Sequence, residues 1–221
     1  MLLFDRVSKS YRLKGVRKAI LSDFSFRFPE GRNVGIMGRN GAGKSTMMRL
    51  MAGIEPPDQG RVLRTSRVSW PLGFSGGFNG SMTGIENIRF VSRIYGQDSN
   101  RVIESVVEFA ELGASLRLPI KTYSSGMKAR LAFGLSMAID FDMYLIDEVT
   151  AVGDEDFKKK SKAVFKSKLE RSQIVMISHS ASTIRQYCDC GLLLEGHRIR
   201  FFDDIDDLLA AYKEINTAGT D

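Results

Sequence analysis

The 221-residue chain has two cysteines, one tryptophan and two histidines, and these scarcities close off several options. Cys188 and Cys190 stand too close together for an ordinary framework disulfide. No second Cys/His pair accompanies them to make a zinc site, so they read as reduced thiols. No apolar run approaches the roughly 20 residues needed to cross a bilayer; the longest, Leu131 to Ile139, stops far short. A charged-then-apolar leader is missing from the start, and the expectation is a soluble, cytoplasmic chain. Repeats, low-complexity tracts and linkers are also missing. The length suits one generous α/β domain with a small insertion rather than two independent domains. The 32 basic and 26 acidic side chains leave an excess of +6. That charge fits nucleic acid, an anionic membrane surface or phosphate ligands, and equally a solvated basic face.

What is present reads as alternating strands and helices. "LLFDRVSKSY" and "AILSDFSFRF" have the character of strands, the second with Ile20, Phe24, Phe26 and Phe28 nearly alternating before a turn at Pro29-Glu30-Gly31. An antiparallel edge is expected from them. "NVGIMG" is a short strand ending in glycine, and "STMMRLMAG" continues as a helix closed by Gly53 and the breaker "EPPDQG". Thr83 with Glu86 three residues on is a capping-box pattern, and residues 84 to 139 read as mostly helical. "FDMYLIDE" and "QIVMISHS" read as buried strands, with helices near 156 to 171 and 181 to 188. "GLLLEGHRIRFF" reads as a hairpin turning at Glu195-Gly196-His197.

The chemistry concentrates in "GRNGAGKST", the run of Gly38, Arg39, Asn40, Gly41, Ala42, Gly43, Lys44, Ser45 and Thr46. Gly38, Gly43, Lys44 and Ser45 match the phosphate-loop pattern. Its glycines let backbone N–H groups turn inward around phosphate oxygens, its lysine reaches the β/γ-phosphates, and its serine holds Mg²⁺. The match lies between an expected strand and an expected helix, which a chance glycine turn would not require. "MYLIDE" delivers Asp147 to a strand's carboxyl end as the Mg²⁺ ligand through water, with Glu148 next to it as candidate general base. His179 ends the following strand. It can contact the γ-phosphate or orient Glu148 and a water; alone it would read better as a capping or core histidine. Ser124, Ser125 and Gly126 in "YSSGM" open a long helix and offer N–H groups to an anion, a pattern that in isolation is an ordinary helix start.

The order "GRNGAGKST", "YSSGM", "LIDEVTAVGD", "ISHS" resembles the ATP-binding subunits of ABC transporters over essentially the whole chain. The resemblance implies an α/β P-loop NTPase fold: a RecA-like core, an antiparallel β subdomain and a helical subdomain inserted at about 84–139, all within one nucleotide-binding domain, 1–221. It implies ATP and Mg²⁺ as cofactors and a head-to-tail homodimer in which Ser125 and Gly126 reach the partner's γ-phosphate. It also implies that Tyr11 stacks on adenine and that Gly153 and Asp154 link the two sites. That family usually carries a glutamine near the positions of Phe74 or Ser75, and none occurs from Arg61 to Gly96. The uncharged stretch "SWPLGFSGGFNGSMTGIEN" is then this chain's version of that hinge. Its Trp70, Phe74 and Phe78 either anchor a partner helix or pack beneath the insertion.

The glutamine-less "WPLGFSGGF", "MTGIENIRFVSRIYG" and "YSSGMKARLAF" are most similar to capsular polysaccharide export ATPases of Gram-negative bacteria. Exporters of O-antigen or teichoic acid are close alternatives. The chain ends soon after "DDIDDLLAAYKEI", without room for the carbohydrate-binding domain some of those carry. The resemblance implies an ATPase bound to a separate transmembrane permease at the cytoplasmic face of the inner membrane, with no nucleic acid expected. Rival readings are a soluble ABC protein acting on nucleic acid or ribosomes, whose usual coiled-coil insertions or tandem units are missing, and a nucleotide-binding regulator without turnover.

Overall fold

A computed structural model describes residues 1–13, 16–72, 77–147, 155–196 and 198–217. The chain forms two compact units, one from Met1–Pro71, Phe141–Val149 and Ser172–Asp221, the other from Leu72–Asp140 and Thr150–Arg171.

In the first unit β1 (Leu2–Leu13) pairs antiparallel with β2 (Val16–Arg27) and with β4 (Gln59–Arg64), giving a three-stranded sheet ordered β2-β1-β4. The register slips between Phe4 and Val7, where Arg6 takes φ 50°, so that Leu2, Phe4 and Val7 all stay buried despite the irregular spacing. Phe4, Phe26 and Phe28 form an aromatic cluster with centroids 5.0–6.0 Å apart.

The second sheet is ordered β5-β6-β7-β3-β8-β9, from β3 (Val34–Gly38), β5 (Val68–Pro71), β6 (Met143–Asp147), β7 (Gln173–Ile177), β8 (Cys190–Glu195) and β9 (Arg198–Phe202). All of its pairings are parallel except β8 with β9, the hairpin expected from sequence, whose register closes at Glu195 opposite Arg198. Parallel strands are covered on both faces, which is why β3 is buried at every position. Helices α1 (Lys44–Ala52), α6 (Ala181–Tyr187) and α7 (Ile205–Thr217) belong to this unit. Met47, Met48, Leu50 and Met51 of α1 join Leu2, Phe4, Ile36, Leu145 and Val175 in one core. Each fully buried apolar side chain there contributes about 1.5–3 kcal/mol.

"RVLRTSRVSW" divides between the two sheets, β4 ending at Arg64 and β5 starting at Val68. Ser69, Trp70 and Pro71, at the head of the uncharged stretch, are therefore strand. β5 is an edge, where Pro71 costs no ladder bond on a central strand, and the Ser69 hydroxyl accepts from the Leu145 N–H at 2.9 Å.

The second unit is helical: α2 (Gly84–Ile94), α3 (Ser99–Ala110), short 3₁₀ turns at Gly113–Arg117 and Ile120–Thr122, α4 (Ser125–Ala138) and α5 (Glu155–Leu169). The capping box forms as the sequence implies: the Glu86 N–H donates to Thr83 Oγ1 at 3.2 Å and the Thr83 N–H to Glu86 Oε2 at 2.8 Å. Phe109 of α3 packs against Phe133 of α4 and Phe157 of α5, with centroids 5.6 and 5.2 Å away. Among the described residues no helix is long and apolar enough to cross a membrane. Both cysteines are free and buried, and burial pushes Cys188 up to about 12 and Cys190 to about 11.

Candidate nucleotide-binding site

Lys44 begins α1 and is only 7% exposed. A buried ammonium needs compensation, and its Nζ donates to the Gly38 carbonyl at 2.7 Å and the Arg39 carbonyl at 3.1 Å. Two glycines are needed for this turn. Gly38 leaves β3 so close to β8 that a Cβ would lie 2.5 Å from the Leu194 carbonyl oxygen. At Gly43, φ is 104° and a Cβ would meet Ile20 Cγ2 at 2.4 Å. The Ala42 N–H closes the loop on the Arg39 carbonyl at 3.1 Å. α1 therefore starts on a backbone only glycine adopts easily, with its N–H groups and positive dipole end toward the loop and no acidic side chain in its first turn.

A cavity of about 610 Å³ opens beside this loop, entirely within the first unit. Asn40, Gly41, Gly43, Lys44, Ser45 and Thr46 border it, as do Tyr11, Asp147 and His179. Asp147 comes from the carboxyl end of β6 and His179 lies just beyond β7, adjacent parallel strands, so that the sheet itself brings them to one side. The His179 ring is 3.4 Å through Nδ1 from the Tyr212 hydroxyl of α7. Gly38, Arg39 and Ala42 build the loop without bordering this cavity; Arg39 and Ala42 flank a neighbouring groove with Arg17 and Lys18.

Ser45 and Asp147 are hard oxygen donors on one cavity, the set that fits a magnesium ion held mainly by phosphates and water. Among the described residues no group of three or more His, Cys, Asp or Glu could hold a metal unaided. Ser125 and Gly126 are exposed at the start of α4 in the second unit, where the Ser124 hydroxyl accepts from the Met127 N–H at 3.2 Å. Ser124 is thus the cap, which leaves Ser125 and Gly126 in the first turn with their backbone accessible. Glu148, Gly153, Asp154, Phe74, Ser75 and His197 lie outside the described residues. Trp70 meets Phe141 edge-on at 5.2 Å.

Sequence reading missed the support beneath Tyr11. Glu55, embedded in the segment read only as a helix breaker, accepts from the Tyr11 hydroxyl at 2.7 Å, from Arg49 Nε at 3.0 Å and from Lys9 Nζ at 2.9 Å. Burial works against its charge, but hydrogen bonds from Tyr11, Lys9 and Arg49 outweigh it and hold the carboxyl down at about 2. These partners are up to 46 positions apart in sequence, Lys9 to Glu55, and no local pattern announces them.

Strand, glycine loop, helix and strand-end carboxylate define a phosphate-loop nucleotide-binding protein. Residues 21–151 match the ABC transporter family. The chain is 45% identical to the polysialic acid transport ATP-binding protein KpsT of Escherichia coli, covering 97% of this chain and 99% of that protein. It is 49% identical to the capsule polysaccharide export ATP-binding protein CtrD of Neisseria meningitidis serogroup B, covering 97% and 100%. The fold resembles the ATP-binding cassette MJ0796, solved as a dimer in a post-hydrolysis state with ADP and Pi, at TM-score 0.69 and 19% identity over 91% of this chain and 98% of that one. The chain belongs to the ABC transporter family, as one of its ATPase subunits.

Proposed function

We propose that this chain is the ATP-hydrolysing subunit of an exporter that moves capsular polysaccharide across the bacterial inner membrane. The observation that carries the chemistry is the single cavity bordered by Lys44, Ser45, Asp147 and His179. The observation that carries the cargo is near full-length similarity to proteins named for polysialic acid transport and capsule polysaccharide export.

In this reading the loop N–H groups and Lys44 bind the β- and γ-phosphates, Lys44 exchanging its two carbonyl partners for phosphate oxygens. Ser45 and, through water, Asp147 would hold Mg²⁺, which would supply charge neutralisation at the γ-phosphate. Glu148 orients the attacking water, and His179 steadies the γ-phosphate end. Tyr11 stacks on the base. Two copies pair head to tail, so that Ser125 and Gly126 of one complete the site of the other with helix-start N–H groups. The helical unit of each grips a separate transmembrane permease, which keeps the ATPase at the cytoplasmic face of the inner membrane. Nucleic acid is not a partner in this reading.

The test is affinity capture of the tagged chain from membranes with ATP and Mg²⁺, alongside the Glu148→Gln variant. Recovery of a multi-spanning permease, with ATP bound but turnover nearly lost in the variant, is expected. Normal hydrolysis by Glu148→Gln overturns the assigned base, and salt-sensitive capture of RNA or DNA in place of a permease overturns the export reading.

A further inference from the structure

We propose that Glu55, together with Arg49, is a positioning group for the nucleobase: it locks the Tyr11 ring at the rim of the phosphate-loop cavity and ties that ring to the loop itself. The inference rests on the reading that this cavity takes ATP.

Arg49 carries the connection. It lies in α1, one turn beyond the loop, and its Nη2 donates to Thr46 Oγ1 at 3.2 Å and to the Tyr11 hydroxyl at 3.0 Å, while its Nε donates to Glu55 Oε2 at 3.0 Å. The same Glu55 oxygen accepts from the Tyr11 hydroxyl at 2.7 Å. One guanidinium thus touches the last residue of the phosphate loop and the aromatic residue of the same cavity. The Tyr11 hydroxyl is donor to Glu55 and acceptor from Arg49, which fixes both the position of its oxygen and the direction of its proton.

The other Glu55 oxygen binds Lys9, 8% exposed, whose Nζ also reaches Asp58 Oδ1 at 3.2 Å and the Pro56 carbonyl at 2.9 Å. That ammonium lies 5.6 Å from the Tyr11 ring centroid. Asp58 in turn accepts from the Ser10 N–H and hydroxyl, each at 2.8 Å. Lys9, Arg49, Glu55 and Asp58 balance two positive charges with two negative ones. A neutral cluster adds little net attraction for a triphosphate; what it supplies is rigidity at the Tyr11 ring on the cavity. The depressed Glu55 titration keeps this carboxylate charged throughout the physiological range.

A brace that only held β1 to the chain after α1 would affect every ligand alike, whereas a base-positioning group affects only ligands with a base. The experiment measures binding of MgATP, and competition by base-free tripolyphosphate, to the full chain and to Tyr11→Phe, Glu55→Gln and the double variant. Each single variant is expected to weaken MgATP roughly three- to tenfold, the size of one hydrogen bond. The double variant should be no weaker than the worse single, since the two groups act as one unit, and tripolyphosphate should change less than about twofold in all three. In turnover, KM for ATP rises by the same factor while kcat moves less. Equal weakening of both ligands, additive losses, or unchanged ATP affinity overturns the proposal. Tyr11→Phe removes a single oxygen and keeps the test decisive where Glu55→Gln fails to fold. Failure of the unaltered chain to bind ATP is a separate result that removes the underlying reading.

Discussion

Lys44 Nζ lies 2.7 Å from the carbonyl oxygen of Gly38, six residues back on the loop the lysine completes. In the proposed ATP site the ammonium would trade these carbonyls for phosphate oxygens, so its contribution to binding is a difference between the two sets of partners. Lys44→Ala removes the only loop side chain with a full positive charge on the cavity beside Ser45 and Asp147. We expect turnover to fall by at least about 10²-fold, the loss typical of removing one group that stabilises transition-state charge. Phosphate release checks this. Turnover within tenfold of the unaltered chain would show that backbone N–H groups alone carry the phosphates.

Gly43 combines φ 104° with a Cβ position 2.4 Å from Ile20 Cγ2, so Gly43→Ala suffers both backbone strain and overlap. The strained backbone alone costs about 1–3 kcal/mol. Ile20→Ala in the same chain relieves the overlap but not the φ, so the double variant should lose less affinity for MgATP than Gly43→Ala while remaining weaker than Ile20→Ala. Binding isotherms on the three variants separate the terms. Full recovery in the double variant would mean that φ at this position carries no penalty.

The phosphate loop, the Thr83–Glu86 cap and the buried parallel strands were all legible in sequence because each is encoded over a few consecutive residues. Gly38 to Ser45 is a local pattern with a local consequence, and a continuously apolar strand such as Val34–Gly38 has only one comfortable place in a sheet. The split of "RVLRTSRVSW" into strands of two different sheets was not legible, because sheet membership is decided by pairing partners: Leu63 with Leu3 of β1, and Val68 with Met143 of β6. The bracing of Tyr11 was hidden for the same reason. Arg49, Glu55 and Lys9 look like solvent-facing charges in their own segments, and only the approach of β1 to the end of α1 reveals them as a set.

Glu55 makes that set sensitive to acid. Its folded-state titration is depressed from an ordinary 4.5 to about 2, so the stability it contributes is fully present above about pH 4.5 and is lost as pH falls towards 2. Asp58 is shifted in the same direction, chiefly by the Ser10 hydroxyl. Glu55→Gln has no charge to lose, so its stability should fall less steeply than that of the unaltered chain between pH 4.5 and 2, although it starts lower at pH 7. Urea denaturation midpoints across that range decide the matter; parallel curves would show that Glu55 titrates alike in the folded and unfolded chain.

The two thiols provide a check on the core that is independent of nucleotide. Cys190 opens β8 and lies in the apolar core with Met47, Met48 and Leu192, whereas Cys188 caps α6 with its N–H on the Ile184 carbonyl at 2.9 Å, so both sulfurs are covered, one in each setting. Burial holds Cys188 near 12 and Cys190 near 11. The reactive thiolate is thus scarce at pH 8 and reagent access is blocked as well. A disulfide-exchange reagent should leave the folded chain unlabelled at pH 8 over a time in which both thiols react completely in denaturant. Cys190 lies lower and beside Arg32, whose charge favours its thiolate, so it should be the first to label as denaturant is raised through the transition. Rapid labelling of either thiol in the native protein would mean that the strand carrying Cys190, or the end of α6 carrying Cys188, opens far more often than a fully covered parallel sheet allows.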